Sequence, residues 1–258
     1  MKTLNILITG MALFLFSSSL VAQDWSYGIG TGFAGLGYDG DIGFGTAFGP
    51  IRSDIDLDAD DTRDLIKSGF GFGGYARKEN LTIIYALGTM EWDDRASGLG
   101  DEGLGQLDIN YETVAAKLMF DYTFSRSGNH AWGIRTGVQY TSQEYEIDYV
   151  YNGATIGPSA FTFKPDDSWV DWVLGLNYSY SLSNNAVWST SIEAGWGDTE
   201  GSSLIDTGIS WLFDNSWSIR LYANVANVDY DSGNPGDADW YLYDVEETKF
   251  GFSFMYNW

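Results

Sequence analysis

The chain has 258 residues, with 36 acids against 13 lysines and arginines, a net charge of −23, and 17% aromatic side chains. So acidic a surface excludes ordinary nucleic-acid binding, which needs a basic face. With no cysteine, disulfides, thiolate metal sites and a lipoprotein anchor beside the leader are excluded as well.

Residues 1–22 read as a secretory signal peptide. Lys2 supplies the positive start, the run from Leu4 to Phe16 is mostly apolar, and Leu20 and Ala22 occupy the recognition positions of a small-residue cleavage region. The apolar run is shorter than the roughly 20 residues of a spanning helix, which argues against a membrane anchor. Residues 23–258 are then expected to form one β-barrel without a separate domain.

Ten alternating segments follow: 25–37, 70–77, 81–92, 106–124, 131–149, 169–182, 186–197, 203–213, 217–230 and 239–258. Most reach the roughly 9–11 residues that a tilted transmembrane strand requires. The connections alternate in length. Short turns at 78–80, 125–130, 183–185 and 214–216 alternate with mostly longer loops at 38–69, 93–105, 150–168, 198–202 and 231–238. Outer-membrane barrels have short periplasmic turns and longer outer loops. The pattern predicts an all-β, transmembrane, antiparallel up-and-down barrel of ten strands, with eight as the alternative.

Residue parity assigns the faces. In the fourth segment Val114, Ala116, Leu118, Phe120, Tyr122 and Phe124 oppose Thr113, Lys117, Asp121 and Thr123. In the sixth, Trp172, Leu174, Leu176, Tyr178, Tyr180 and Leu182 oppose Asp171, Gly175, Asn177, Ser179 and Ser181. The last segment carries Phe250, Phe252, Phe254, Tyr256 and Trp258 on one face, with Gly251, Ser253, Met255 and Asn257 on the other. A fully aromatic strand face would aggregate in water but suits lipid. Tryptophans gather near strand ends. Trp25, Trp132, Trp188, Trp211, Trp217 and Trp258 are expected at the periplasmic side, and Trp92, Trp172, Trp196 and Trp240 at the outer side. Two such belts are what a membrane interface selects.

With its leader, strand pattern and terminal aromatic residue, the chain resembles the small OmpA-like outer-membrane β-barrels. It also resembles uncharacterised Gram-negative outer-membrane proteins that carry an Asp-alternating segment, a short acidic helix and a strand entering a tight turn. Those features fall here at Ser53 to Asp58, Asp60 to Lys67 and Gly69 to Asn80. The resemblance implies a cell outer-membrane location, with outer-membrane lipid, lipopolysaccharide and the barrel-assembly machinery as partners. It implies that this machinery reads Phe250, Phe252, Phe254, Tyr256 and Trp258 as its C-terminal signal. It brings no activity, and the chain is expected to be monomeric.

Sorted by this topology, charge separates. Asp121, Asp171, Glu193, Asp206 and Glu247 point into the lumen against Arg77, Lys117, Arg135, Arg220 and Lys249. Charges there are costly unless paired, so these ten are expected to form an ion-pair network. That network is either a polar plug or the lining of a narrow path for a small solute. Gly28, Gly30 and Gly32 are expected to leave space beside it. Most other acids fall outside, where they would bridge divalent cations, bind a cationic partner, or form the solvated surface of a salt-adapted protein.

The remaining motifs are weaker. Asp54, Asp56 and Asp58 share a face and are the candidate site for calcium or magnesium, no other cofactor being expected. An EF-hand is rejected, because Ala59, Leu65 and Lys67 stand where its glycine and glutamate would be. The bland alternative is an acidic extension capping a helix, with Asp60 as N-cap. Gly30 to Gly35 matches a dinucleotide fingerprint in letters only, with no helix following. The single histidine, His130, falls in a periplasmic turn, away from the outer carboxylates Asp237, Asp239, Asp244 and Glu246. No catalytic residue is therefore assigned. The expected role is non-enzymatic, in envelope structure or surface interaction through acidic loops. A lipid-modifying or protease-type enzyme is the third reading.

Overall fold

The computed structural model describes residues 25–46, 49–99, 105–151, 159–213 and 216–258. The signal-peptide segment lies outside them. Twelve strands and one short helix follow in order: β1 (Ser26–Phe44), β2 (Ile51–Leu57), α1 (Ala59–Leu65), β3 (Ile66–Lys78), β4 (Leu81–Leu99), β5 (Gly105–Ser127), β6 (His130–Tyr151), β7 (Ser159–Phe163), β8 (Asp166–Ser181), β9 (Ala186–Gly197), β10 (Gly201–Phe213), β11 (Trp217–Ser232) and β12 (Tyr241–Asn257).

Antiparallel pairing runs β1-β3-β4-β5-β6-β8-β9-β10-β11-β12 and returns to β1, closing a ring of ten. The last residues make the closure. Gly28 pairs with Asn257 and Gly35 with Phe250, and Tyr27 and Trp258 exchange backbone hydrogen bonds of 2.9 and 3.0 Å. At this seam closure removes the free strand edges that a sheet could not keep in lipid. The glycines of β1 serve close approach here, and do not open the space expected of them. A Cβ on Gly32 would sit 2.9 Å from the Phe252 carbonyl oxygen, and one on Gly28 would strike the Tyr75 ring and Met255.

β2 and β7 stand outside the ring. β2 pairs only with the outer half of β1, and β7 only with the outer end of β6. Both lie in stretches read from sequence as loops. The neighbouring strands are also longer than the alternation suggested. β5 has 23 residues and β6 has 22, so roughly half of each stands beyond the membrane.

The period-two faces turn as expected. Phe250, Phe252, Phe254, Tyr256 and Trp258 are exposed on the lipid side, as are Phe120, Phe124, Trp172 and Leu176. Trp132, Trp188, Trp217 and Trp258 are exposed toward the periplasmic end, and Trp172 and Trp196 form a cross-strand pair at the outer level. Two of the predicted outer belt residues differ. Trp92 turns inward against Tyr111, ring centroids 5.1 Å apart, and Trp240 is buried with its indole N–H on Asp231, 2.8 Å away. Strand parity puts Trp92 inside, and loop packing covers Trp240.

Candidate functional site: a filled lumen and an acidic outer wall

The interior is built from two layers. The inner layer is ionic. Arg135 on β6 grips Asp121 on β5 with two bonds, 2.6 and 2.7 Å, and reaches Glu193 on β9 at 2.6 Å. Lys117 on β5 takes the other Glu193 oxygen at 2.6 Å, and Ser191 completes the cluster. β6 and β8 lie between β5 and β9, so the Lys117–Glu193 pair reaches over two strands inside the lumen. On the opposite wall Arg220 pairs with Asp206, while Lys249 holds Glu247 at 2.8 Å and Tyr243 donates to Glu247 at 2.9 Å.

Two of the ten predicted network residues are not in ion pairs. Asp171 is buried, but accepts hydrogen bonds from the Thr199 backbone N–H and hydroxyl and from Ser202. The β9–β10 turn folds over it and supplies those donors in place of a cation. Arg77 lies exposed at the periplasmic end, donating to Thr82 at 3.2 Å and stacked over Tyr75.

The outer layer is aromatic, and parity alone did not single it out. Phe44, Tyr111, Tyr145, Trp169, Tyr230, Tyr241 and Tyr243 pack with Val228 and Val245 as the largest buried cluster. Phe44 meets Tyr145 edge-on at 5.0 Å, Tyr111 lies 4.7 Å from Tyr145, and Trp169 stacks on Tyr230 at 4.7 Å. Tyr241 donates to the buried Gln143. The signal was present as aromatic residues at inward parity in the outer part of six strands.

The outer wall is the reverse. On the outward face of β2, β1, β12 and β11, register aligns Asp54 with Asp41, Asp41 with Asp244, and Asp244 with Asp229. The next row down aligns Asp56, Asp39 and Glu246. On β4, β5 and β6, Glu91, Glu112 and Glu144 form a third row. Arg52 answers the first row at one point, 2.7 Å from Asp41, and holds the Asp41 carboxyl below its usual range.

The three predicted cation ligands do not act together. Asp54 and Asp56 belong to these rows, whereas Asp58 is the N-cap of α1, accepting from the N–H groups of Asp60 and Asp61 at 2.8 and 2.9 Å. Those bonds draw its pKa below the ordinary aspartate value. Asp58, not Asp60, is the cap because its extended backbone turns its own carboxylate onto the first-turn amides. Among the described residues, no three histidines, aspartates or glutamates group as a cation site. His130 sits at the periplasmic turn with Nδ1 2.7 Å from the Tyr178 hydroxyl.

No family model matches the chain. No curated protein matches it by sequence. Among solved structures it is similar to the outer membrane protease OmpT from Escherichia coli, with 9% identity, a TM-score of 0.56, and coverage of 92% of this chain and 97% of that one. Also similar are the translocator domain of autotransporter NalP from Neisseria meningitidis (11% identity, TM-score 0.47, coverage 98% and 96%) and Neisserial surface protein A (10%, 0.35, coverage 90% and 96%). Such identities speak for fold alone. Pairing, lipid-facing aromatics and the likeness in fold to OmpT agree: the chain is an integral outer-membrane β-barrel protein.

Proposed function

We propose that this barrel is a non-enzymatic surface protein that meets cationic partners through its acidic outer wall. The observation that supports this reading most is the alignment of Asp54, Asp41, Asp244 and Asp229 across four adjacent strands. Like charges placed directly opposite one another weaken a sheet. A sequence shaped only for stability would break such rows, and surfaces kept against stability are characteristic of binding sites. The filled lumen supports the same reading, because it leaves the extension as the part most available to partners. A cation-binding wall would also accept calcium or magnesium, but Asp58 is already engaged by α1.

The test is binding of poly-lysine to the barrel in nanodiscs over a salt series. Tight binding that weakens steeply with salt is expected. An Asp54→Asn, Asp41→Asn, Asp244→Asn variant is expected to bind more weakly and to melt at a higher temperature. Unchanged binding by this variant would overturn the proposal.

A further inference from the structure

The ring of ten has a gap. β1 pairs with β3 only from Ser26 to Thr31, and with β2 only from Tyr38 to Phe44. Among the described residues, 32–37 of β1 therefore have no strand partner on that edge, and neither does β3 above Phe72. Each end of the gap is finished by a hydroxyl. Thr31 Oγ1 donates to the Gly71 carbonyl at 2.6 Å, and the buried Thr62 of α1 donates to the Leu36 carbonyl. α1 thus covers the upper part, its Ala59 lying where a Cβ on Gly35 would come within 3.2 Å. The lower part, between Gly32 to Ala34 and Gly69 to Gly71, has no such cover.

The gap lies on the lipid side. Phe33 and Phe70 flank it, 61% and 63% exposed, and Phe250 stands beside it at Gly35. The first outward charges, Asp39 and Glu91, come just above. Behind the gap, small residues leave a chamber between the two filled layers. Ala86 and Ala115 point inward yet are exposed. A Cβ added to Gly69, Gly71 or Gly88 would meet no atom nearer than 3.7 Å. This chamber lies between the aromatic layer above and the ionic layer below, so its open side faces the bilayer.

We propose that the chamber receives one acyl chain of an outer-leaflet lipid through the β1/β3 gap, with α1 as the upper jamb. The bilayer is the medium on that face, so lipid is the molecule at the opening. The glycines and alanines of this wall leave room for an unbranched hydrocarbon, with Lys117 and Thr141 beside them on the inward face. Moving a chain from bilayer to such a wall changes its apolar surroundings little, since lipid tails are as apolar as leucine.

The test uses the whole barrel in phosphatidylcholine nanodiscs, with a fraction of the lipid carrying a diazirine at the end of one acyl chain. After irradiation, peptide mass spectrometry is expected to find adducts on inward Ala86, Gly88 and Ala115 as well as on outward Phe33 and Leu87. Ala115→Phe is expected to remove the inward adducts and keep the outward ones, with heat-modifiable gel mobility reporting that it has folded. If it does not fold, Gly88→Leu fills the same space. Wild-type adducts confined to outward residues would overturn the proposal, as would inward adducts that persist unchanged in a folded filling variant. A parallel arm uses a free fatty acid with the same diazirine. Inward labelling by the free acid but not by the lipid would overturn the assignment to lipid.

Discussion

Arg135 is the residue on which the interior ionic layer turns, since it joins Asp121 to Glu193 across three strand boundaries. Removing one member of a buried pair leaves its partners charged and unmatched, which costs about 3–5 kcal/mol. Arg135→Met is expected to lower stability by that amount in urea unfolding from detergent micelles. Arg77→Met, at the exposed periplasmic end, should leave the midpoint nearly unchanged. Equal loss from both variants would contradict a localised layer. Parity made the inward direction of Arg135, Asp121, Glu193 and Lys117 legible in the sequence, because alternate residues of a strand share a face. It did not disclose that Asp171 would be answered by Thr199 and Ser202, since those donors arrive through a turn whose path depends on the folded strands.

At the scale of elements, β12 is where sequence and structure agree most fully. Its outward residues sit against β1 and β11: Phe252 against Phe33 and Leu221, and Phe254 opposite Ile219. Trp258 stacks on Tyr27 and Tyr256 at 5.7 and 5.8 Å. These contacts form the seam that closes the barrel. A Phe254→Ser, Trp258→Ser double variant is expected to reduce sharply the heat-modifiable, membrane-inserted fraction. Normal insertion would show that closure does not depend on those rings. Sequence reading placed the acidic helix at Asp60 to Lys67, where α1 lies, and an extended Asp segment at Ser53 to Asp58, but it gave β2 no partner and missed β7. β2 and α1 are polar and acidic and β7 is five residues within a long connection, and their order comes from pairing with β1 and β6 and from Thr62 on the Leu36 carbonyl.

For the whole molecule, the ionic and aromatic layers together decide whether the barrel conducts. Tyr111, Tyr145, Tyr241 and Tyr243 pack the outer lumen, and the Lys117–Glu193 and Arg135–Glu193 pairs occupy it below. Planar-bilayer recording is therefore expected to show no sustained conductance, and steady openings of the wild-type protein would refute the closed-lumen account. The sequence by itself determined the barrel class and the faces of its strands, because lipid enforces a strict alternation of apolar and polar side chains, but it left eight strands beside ten. It also placed most of the charge outside. Only the tertiary structure decided which inward residues meet, that the aspartates align in rows, and that the wall parts between β1 and β3. These depend on register and shear, which bring together residues far apart in the chain and leave no local period to read.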